Sequence, residues 1–308
     1  MDLNRMRPTA LSAVLLVAAC VASAPSWAAE PEDEFKARLP LFAYDTQAPF
    51  KLKELSSEKR EGATVRELSF VAAPDRAPVK ATLVVPDGQG PFAGVVWVHW
   101  LGEPETTNRT QFLQEAVSLA PKGVVSLLVD AMWSTPKWYE SRAPEQDHEN
   151  SIRQVIALRR AMDLLLSQPQ VDKARIGYVG HDYGAMYGML AAGLDSRAKT
   201  YVFIAATPSL SDWAFFGKQP RSKAEYLRQN AILELSDYLR QVKNASTLFQ
   251  FGTQDTYVSK ASTVVLLAAA QPPKERRFYE ADHSMRLPKI AEERDAWLLE
   301  KLALPPAH

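Results

Sequence analysis

The sequence contains one cysteine, Cys20, and it lies in an apolar N-terminal segment. A single cysteine cannot form an internal disulfide, and the chain beyond it offers no thiolate for a metal site. No group of histidine and glutamate residues has the spacing of a zinc site either. The sequence therefore predicts a protein that works without a metal ion or other cofactor.

A net charge is also absent, because 36 basic residues balance 36 acidic ones. No excess of one sign favours nucleic acid or a polyanionic surface as a partner. The balance favours a small, weakly charged substrate. The chain has 308 residues, 46% of them hydrophobic, which suffices for one large domain with a sizeable core.

A hydrophobic run long enough to indicate a membrane span is missing, since the apolar stretch 10–22 is too short. Arg5 and Arg7 precede this stretch, and small residues follow it, as in a secretory signal peptide. We expect residues 1–28 to be removed and the protein to be exported, either to the periplasm or out of the cell. The four residues ending at Cys20 also resemble a bacterial lipobox, which would leave Cys20 as a lipidated N-terminus.

Beyond the leader, segment 29–62 is charged and punctuated by proline, and we expect it to be loosely structured. The domain is expected at 63–308, beginning with a hairpin of strands 67–73 and 79–86. Strands and helices then alternate, which predicts an α/β fold with a doubly wound, mostly parallel sheet. The expected strands are 94–99, 124–130, 175–179, 246–251 and 276–280, and the expected helices are 111–120, 150–167, 183–194, 259–270 and 290–302.

Residues 180–184 read Gly-His-Asp-Tyr-Gly, the signature of a strand-to-helix elbow that presents a nucleophile. Asp182 stands where an esterase carries serine. The two glycines permit a turn sharp enough to thrust the central side chain out above the sheet. A carboxylate there suits displacement at a saturated carbon better than acyl transfer. The alternative is that Asp182 only caps a helix starting near Tyr183.

Two later residues supply a candidate acid and base. Asp255 follows strand 246–251 and His283 follows strand 276–280, which gives the order nucleophile, acid, histidine. A neighbouring carboxylate holds an imidazole in one tautomer and balances its charge, so that His283 can take a proton from water. Asp282 is a rival for the acid role, but its adjacency to His283 would point it elsewhere.

From about residue 63 onward the chain resembles the α/β-hydrolase superfamily, most nearly its dienelactone hydrolase-like branch. The segments that carry the resemblance are VKATLVVP, GVVWVHWLG, ARIGYVGHDYGAMYG, LFQFGTQDTYV and FYEADHSM. The resemblance implies Asp182 as nucleophile, Asp255 as acid and His283 as base. That branch carries cysteine or serine at the elbow, whereas Gly-His-Asp is similar to haloalkane dehalogenases and epoxide hydrolases. Those relatives carry a helical cap domain, and we expect the shorter insert 207–244 to act as a lid.

The loop after strand 94–99 normally lends a backbone N–H to developing negative charge. The expected donors are the N–H of Trp100 or Leu101, together with that of Tyr183. The indole N–H of Trp100 is also a candidate to hold a leaving halide or epoxide oxygen, because it donates without accepting. The alternative is that Trp100 only packs against the pocket wall.

An aromatic cluster follows strand 124–130, at the edge of the sheet where such folds bind ligands. Trp133, Trp138 and Tyr139 are therefore candidate substrate-binding residues, and Trp213 in the insert is a candidate roof. The alternative is that these side chains anchor their loop as a local core.

Together these features predict an exported hydrolase that forms a covalent ester on Asp182, which water activated by His283 and Asp255 then cleaves. Alkyl halides, epoxides and activated lactones rank above ordinary esters, since carboxylate attack on an ester carbonyl gives an anhydride. A second reading is an esterase or lactonase with Asp182 as general base. A third is an inactive binding protein on a hydrolase scaffold.

Overall fold

The computed structural model describes residues 32–73 and 77–304, which form a central sheet with flanking helices. The strands of the described residues are β1 (Lys53–Arg60), β2 (Ala63–Phe70), β3 (Val79–Pro86), β4 (Phe92–Val98), β5 (Val124–Val129), β6 (Val171–His181), β7 (Thr200–Ile204), β8 (Ser246–Gly252) and β9 (Lys274–Tyr279). The helices are α1 (Glu32–Arg38), α2 (Leu113–Leu119), α3 (Trp138–Ser141), α4 (Asp147–Leu166), α5 (Tyr183–Leu194), α6 (Ser211–Ala214), α7 (Lys223–Asn230), α8 (Leu235–Leu239), α9 (Lys260–Ala269) and α10 (Pro288–Lys301).

The strands lie in the order β1-β2-β3-β5-β4-β6-β7-β8-β9. All neighbours from β5 to β9 are parallel, whereas β1, β2 and β3 join antiparallel at one edge. This arrangement confirms the predicted doubly wound α/β-hydrolase fold. The chain leaves β4 on one side for β5 and returns on its other side for β6. The carboxyl ends of β4 and β6 therefore meet at a topological switch point, where such sheets bind ligands.

The middle of the sheet is apolar on both faces. Every residue of β5 is buried, and so is all of β4 after its first residue. Parallel strands covered on both sides by helices have this continuous apolar composition. Helix α5 buries its first ten residues against the sheet and helix α8, which fixes the element that follows Asp182.

The N-terminal segment differs from the expectation of loose structure. Residues of 29–62 form helix α1 and strand β1, and β1 pairs antiparallel with β2. All eight residues of β1 are exposed, so its sequence KELSSEKR shows no alternation of buried and exposed positions. Its charged side chains are typical of an edge strand that avoids pairing with other chains. The sheet thus begins at Lys53.

Three further segments were predicted from the sequence: a hairpin, an insert and a leader. Strands β2 and β3 form the predicted antiparallel hairpin, and the tip of that hairpin, 74–76, lies outside the described residues. Insert 207–244 contains α6, α7 and α8 between β7 and β8. The expected leader, 1–28, lies outside the described residues as well. Within the described part of the chain, no helix is both long and apolar enough to cross a membrane.

Candidate active site

Asp182 alone forms the turn between β6 and α5. Its φ of 57° and ψ of −120° lie in a region that residues other than glycine rarely adopt. Its backbone N–H donates to Ile204 O at 2.8 Å, and its carbonyl accepts from Met186 N–H at 2.9 Å. The side chain makes no capping hydrogen bond to α5. The alternative in which Asp182 serves only as a helix cap is therefore wrong.

Both glycines of the elbow are required by close backbone approach. A Cβ on Gly180 would lie 2.4 Å from the carbonyl oxygen of Gly184. A Cβ on Gly184 would lie 2.3 Å from the carbonyl oxygen of Val98, at the end of β4. The elbow can pack this tightly against β4 only because neither residue has a side chain.

The two oxygens of the Asp182 carboxylate have different surroundings. Oδ2 accepts the backbone N–H of Leu101 at 2.8 Å, and the adjacent backbone N–H of Tyr183 also favours the charged form of the carboxylate. Oδ1 has no hydrogen-bond partner among the described residues and lies 3.8 Å from Nε2 of His283. The side chain is buried, and this burial raises the pKa of Asp182 against the opposing effects of His283 and the two N–H groups.

His283 follows β9 and is held by Asp255, which follows β8. Nδ1 of His283 lies 2.7 Å from Asp255 Oδ2. The other oxygen of Asp255 accepts the N–H groups of Tyr257 at 2.7 Å and Val258 at 3.0 Å. Burial alone would lower the pKa of His283, but the nearby Asp182 carboxylate and the hydrogen-bonded Asp255 carboxylate outweigh it and raise this pKa to about 9. The structure thus brings the three predicted residues together with a protonated imidazole at neutral pH.

Asp282 does not take part in this arrangement. Its exposed carboxylate accepts the backbone N–H of Ser284 at 3.0 Å, and this contact with Ser284 lowers the pKa of Asp282. The rival acid is therefore engaged by Ser284, while Asp255 is the carboxylate hydrogen-bonded to the imidazole.

The expectation that Trp100 donates to the site is wrong. Its backbone N–H donates to Gln111 Oε1 at 2.8 Å, and its indole N–H donates to Thr106 Oγ1 at 2.9 Å. The N–H of Leu101 takes the expected donor position instead. The Trp100 ring stacks on His181 with centroids 4.9 Å apart and forms part of the cavity wall. The packing alternative describes Trp100 correctly.

A cavity of about 670 Å³ opens over Asp182 and His283. Of the expected substrate-binding residues, Tyr139 and Trp213 line it, and the Trp213 ring packs edge-on against His283 at 5.3 Å. Phe216 of the insert lines it too, as expected of a roof. Residues that the sequence did not single out also line it: Glu103, Gln254, Thr256 and Tyr257.

Trp133 and Trp138 do not line this cavity. Trp133 is fully buried, and its indole N–H donates to the carbonyl of His99 at 3.2 Å, because a buried indole needs an acceptor. Trp138 packs between the rings of Trp133 and Tyr183, with centroids 6.4 and 5.7 Å away. The expectation that these two tryptophans bind substrate is wrong, and the local-core alternative holds.

The sequence analysis also missed His181 and Gln111. His181 is buried, with Nδ1 2.7 Å from Gln111 Nε2 and Nε2 2.9 Å from the carbonyl oxygen of His283. Burial, followed by the charge of His283, lowers the pKa of His181 well below its usual range. The only available signal was the position of His181 inside the elbow motif, and nothing in the sequence pointed to Gln111.

A metal site is not apparent in the described part of the chain. Residues 32–73 and 77–304 contain no group of three or more His, Cys, Asp or Glu side chains arranged to hold a metal ion.

Comparisons with solved structures agree with this architecture. An acetyl xylan esterase from a Paenibacillus species is 19% identical with a TM-score of 0.69, over 87% of this chain and 92% of that one. An acetyl xylan esterase from a Thermoanaerobacterium species is 15% identical with a TM-score of 0.67, over 88% and 94% of the two chains. At these identities the likeness concerns the fold.

Comparisons of sequence give the family. A mouse peroxisomal succinyl-coenzyme A thioesterase is 28% identical over 232 residues, which is 71% of this chain. The chain spans about half of that relative, 48% of its length. The profile of the prolyl oligopeptidase family matches residues 110–303, more than half of the chain and a range that includes Asp182, Asp255 and His283. The protein therefore belongs to the prolyl oligopeptidase family and is a hydrolase of the α/β-hydrolase superfamily.

Proposed function

We propose that this hydrolase, a dienelactone hydrolase-like member of its superfamily, cleaves a small uncharged substrate through a covalent ester on Asp182. The observation that carries the proposal is the asymmetry of the carboxylate. Oδ2 is held by the N–H of Leu101, while Oδ1 has no hydrogen-bond partner among the described residues and faces His283. An oxygen without a hydrogen bond is the better nucleophile of the two.

In the first step Oδ1 of Asp182 attacks an electrophilic saturated carbon. The new O–C bond forms as the bond to the leaving atom breaks, and the leaving atom departs with the bonding electron pair. The N–H of Leu101 keeps Oδ2 in place and so orients the attacking oxygen.

Ester formation then changes the state of His283. The negative charge of Asp182 is one of the causes that raise the pKa of His283, and the ester removes that charge. The pKa of His283 falls, and the imidazole releases its proton to solvent or to a leaving oxygen. The neutral ring, oriented by Asp255, can now take a proton from water.

Water attacks Cγ of Asp182 in the second step. Negative charge develops on Oδ2, where the N–H of Leu101 already points and near which the N–H of Tyr183 favours negative charge. A donor in such a position contributes about 10²- to 10³-fold to the rate. The product oxygen leaves with a proton from His283, and the carboxylate regains its charge.

The cavity favours a substrate without several negative charges. Its lining includes the acidic residues Asp282 and Glu103, the latter paired with Arg286, and no lysine or arginine is among the described residues that line it. The mouse relative is named for succinyl-coenzyme A, whose phosphates such a lining would repel.

The indole N–H groups of Trp100 and Trp133 are already engaged and cannot hold a halide. The indole N–H of Trp213, which lines the cavity, has no hydrogen-bond partner among the described residues and is free to hold a leaving halide or oxygen. Alkyl halides, epoxides and lactones therefore rank together.

A second candidate is an esterase or lactonase in which Asp182 acts as a general base. It is supported by the separation of 3.8 Å between Oδ1 and His283 Nε2, which leaves the two groups without a direct hydrogen bond. A carboxylate in this position would take a proton from water, and the water would attack the substrate directly.

The proposal also includes export and a roof over the site. Trp213 and Phe216 extend from segment 207–244 to the cavity, which supports a lid-like role for that insert. Export rests on the leader at 1–28.

The variant Asp182→Asn tests the assignment of the nucleophile, with turnover measured on a panel of epoxides, lactones, alkyl halides and aryl esters. The amide keeps the shape of the side chain but is a poor nucleophile, and we expect kcat to fall by about 10⁴-fold. Asp87→Asn serves as the matched control, because Asp87 is exposed and, among the described residues, its carboxylate pairs with Lys59 alone. Activity of Asp182→Asn equal to that of the control would refute a catalytic role for Asp182.

A further inference from the structure

Gln111 and His181 form a continuous hydrogen-bonded bridge behind the active site. At one end the backbone N–H of Trp100 donates to Gln111 Oε1 at 2.8 Å. In the middle Gln111 Nε2 lies 2.7 Å from His181 Nδ1. At the other end His181 Nε2 lies 2.9 Å from the backbone carbonyl oxygen of His283. The bridge joins the loop after β4 to the loop after β9.

The direction of each hydrogen bond follows from the first. Because Gln111 accepts from Trp100 through its oxygen, its amide nitrogen faces His181, and an amide nitrogen only donates. Nδ1 of His181 must then accept, which places the proton of a neutral imidazole on Nε2. That proton is donated to the carbonyl of His283, which only accepts. Burial keeps His181 neutral, as the lowered pKa indicates.

Each end of the bridge adjoins a group that contacts Asp182. The residue after Trp100 is Leu101, whose N–H donates to Asp182 Oδ2. His283 presents Nε2 to Asp182 Oδ1 at 3.8 Å. The Trp100 ring also stacks on the His181 ring, with an interplanar angle of 11°. The relative position of the two loops is thus set through two side chains that do not line the cavity over Asp182.

We propose that Gln111 and His181 are positioning residues that align the Leu101 N–H and the His283 imidazole with the carboxylate of Asp182. The kinetic consequence of this alignment rests on the proposed function, whereas its effect on His283 in the resting protein does not. A loss of alignment of about 1 Å costs on the order of 10²-fold in rate.

Two variants and one control test the bridge. His181→Phe retains a ring against Trp100 and removes both hydrogen bonds of the imidazole. Gln111→Glu retains the acceptor for the Trp100 N–H and removes the donor to His181. Gln114→Glu makes the same chemical change at an exposed position three residues along the chain and leaves the bridge intact.

The first measurement is NMR titration of the imidazoles without substrate. We expect the pKa of His283 to move from about 9 toward 6.5 in His181→Phe, since the ring is no longer held against Asp182. In Gln111→Glu we expect His181 to carry a proton on Nδ1, visible in its nitrogen shifts. If His181→Phe fails to fold, Gln111→Glu decides the test.

The second measurement is kinetic, on the best substrate of the panel. We expect kcat to fall roughly 10- to 100-fold in both variants, with KM changed by less than about threefold, because alignment affects the transition state more than binding. Folded variants with a His283 pKa and a kcat equal to those of Gln114→Glu would overturn the proposal. Failure of the proposed function would show instead as full activity in Asp182→Asn.

Discussion

Asp182 keeps the geometry of a serine elbow but changes what occupies the oxyanion site. In a serine enzyme the N–H groups of that site receive an oxygen of the substrate. Here Oδ2 of Asp182 already accepts from Leu101. In the proposed mechanism the tetrahedral carbon forms from the nucleophile itself, so the donors stabilise the second step. The same backbone can therefore serve either kind of nucleophile.

The charge of His283 predicts a pH dependence of stability. Its pKa is about 9 in the folded protein and about 6.5 when unperturbed, so the protonated ring stabilises the fold. This contribution is complete below about pH 6.5 and is lost as the pH rises through 9. We expect the free energy of unfolding to fall by about 1 to 3 kcal/mol over this range. Urea denaturation at a series of pH values measures it.

The control for this effect is His283→Gln, which carries no titrating ring. Its free energy of unfolding is expected to change less between pH 6.5 and 9 than that of the wild type. If the free energies of unfolding of the two proteins changed equally with pH, then Asp182 and Asp255 would not stabilise the protonated form of His283.

At the scale of elements, strong local patterns predicted the structure well. The expected helix 183–194 coincides with α5, and strand β3 coincides with 79–86. Strand β1 was missed because a fully exposed edge strand has no buried face to produce a pattern. A strand or helix can be predicted from the sequence because its buried face produces a hydrophobic pattern, rather than because of the intrinsic propensities of its residues.

The acceptors that bind the N–H groups of Trp100 and Trp133 could not be predicted in the same way. Trp100 and Trp133 were expected to face the substrate because they follow the right strands. Their N–H groups instead bond to Thr106, Gln111 and His99. Which acceptor reaches a donor depends on how the loops pack, and the sequence order of strands carries no information on that packing.

The contact between the elbow and β4 gives a stability prediction. Gly184→Ala places a Cβ 2.3 Å from the Val98 carbonyl oxygen, so the backbone of α5 or β4 must shift. We expect a loss of at least about 2 kcal/mol of stability, with lower kcat. Thermal and urea unfolding measure the change.

Gly177→Ala is the matched control, because Gly177 lies on β6, the strand that precedes the elbow, and its Cβ meets Val95 of β4 at an ordinary 3.4 Å. We expect it to cost less than Gly184→Ala. Equal stability of the two variants would mean that the elbow tolerates a wider separation from β4 than the structure has.

At the scale of the whole molecule, the site exists only because of the sheet order. Its groups follow β4, β6, β8 and β9, and their carboxyl ends meet at one edge. The roles of Asp182, Asp255 and His283 could be predicted from their order along the chain, because each of them follows a predicted strand. The sequence did not show that Oδ2 of Asp182 accepts a hydrogen bond while Oδ1 has no partner among the described residues. This difference depends on the N–H of Leu101, which lies 81 residues earlier in the chain.

The proposed export gives a prediction for the full chain. Expressed in a bacterial host, the protein is expected to be recovered outside the cytoplasm with Ala29 as its first residue, because small residues precede that position. Mass spectrometry of the purified protein identifies this terminus. A lipid-modified Cys20 would favour the lipobox instead, and an intact Met1 would contradict export.

The central claim is that Asp182 forms an ester with the substrate. It is tested most directly by a single turnover, with enzyme in excess, in water enriched in heavy oxygen. Attack of water on Cγ predicts that the heavy atom enters Asp182, which tryptic digestion places in the peptide Ile176–Arg197, while the product keeps light oxygen. Heavy oxygen found in the product, with an unlabelled Asp182, would contradict the covalent mechanism.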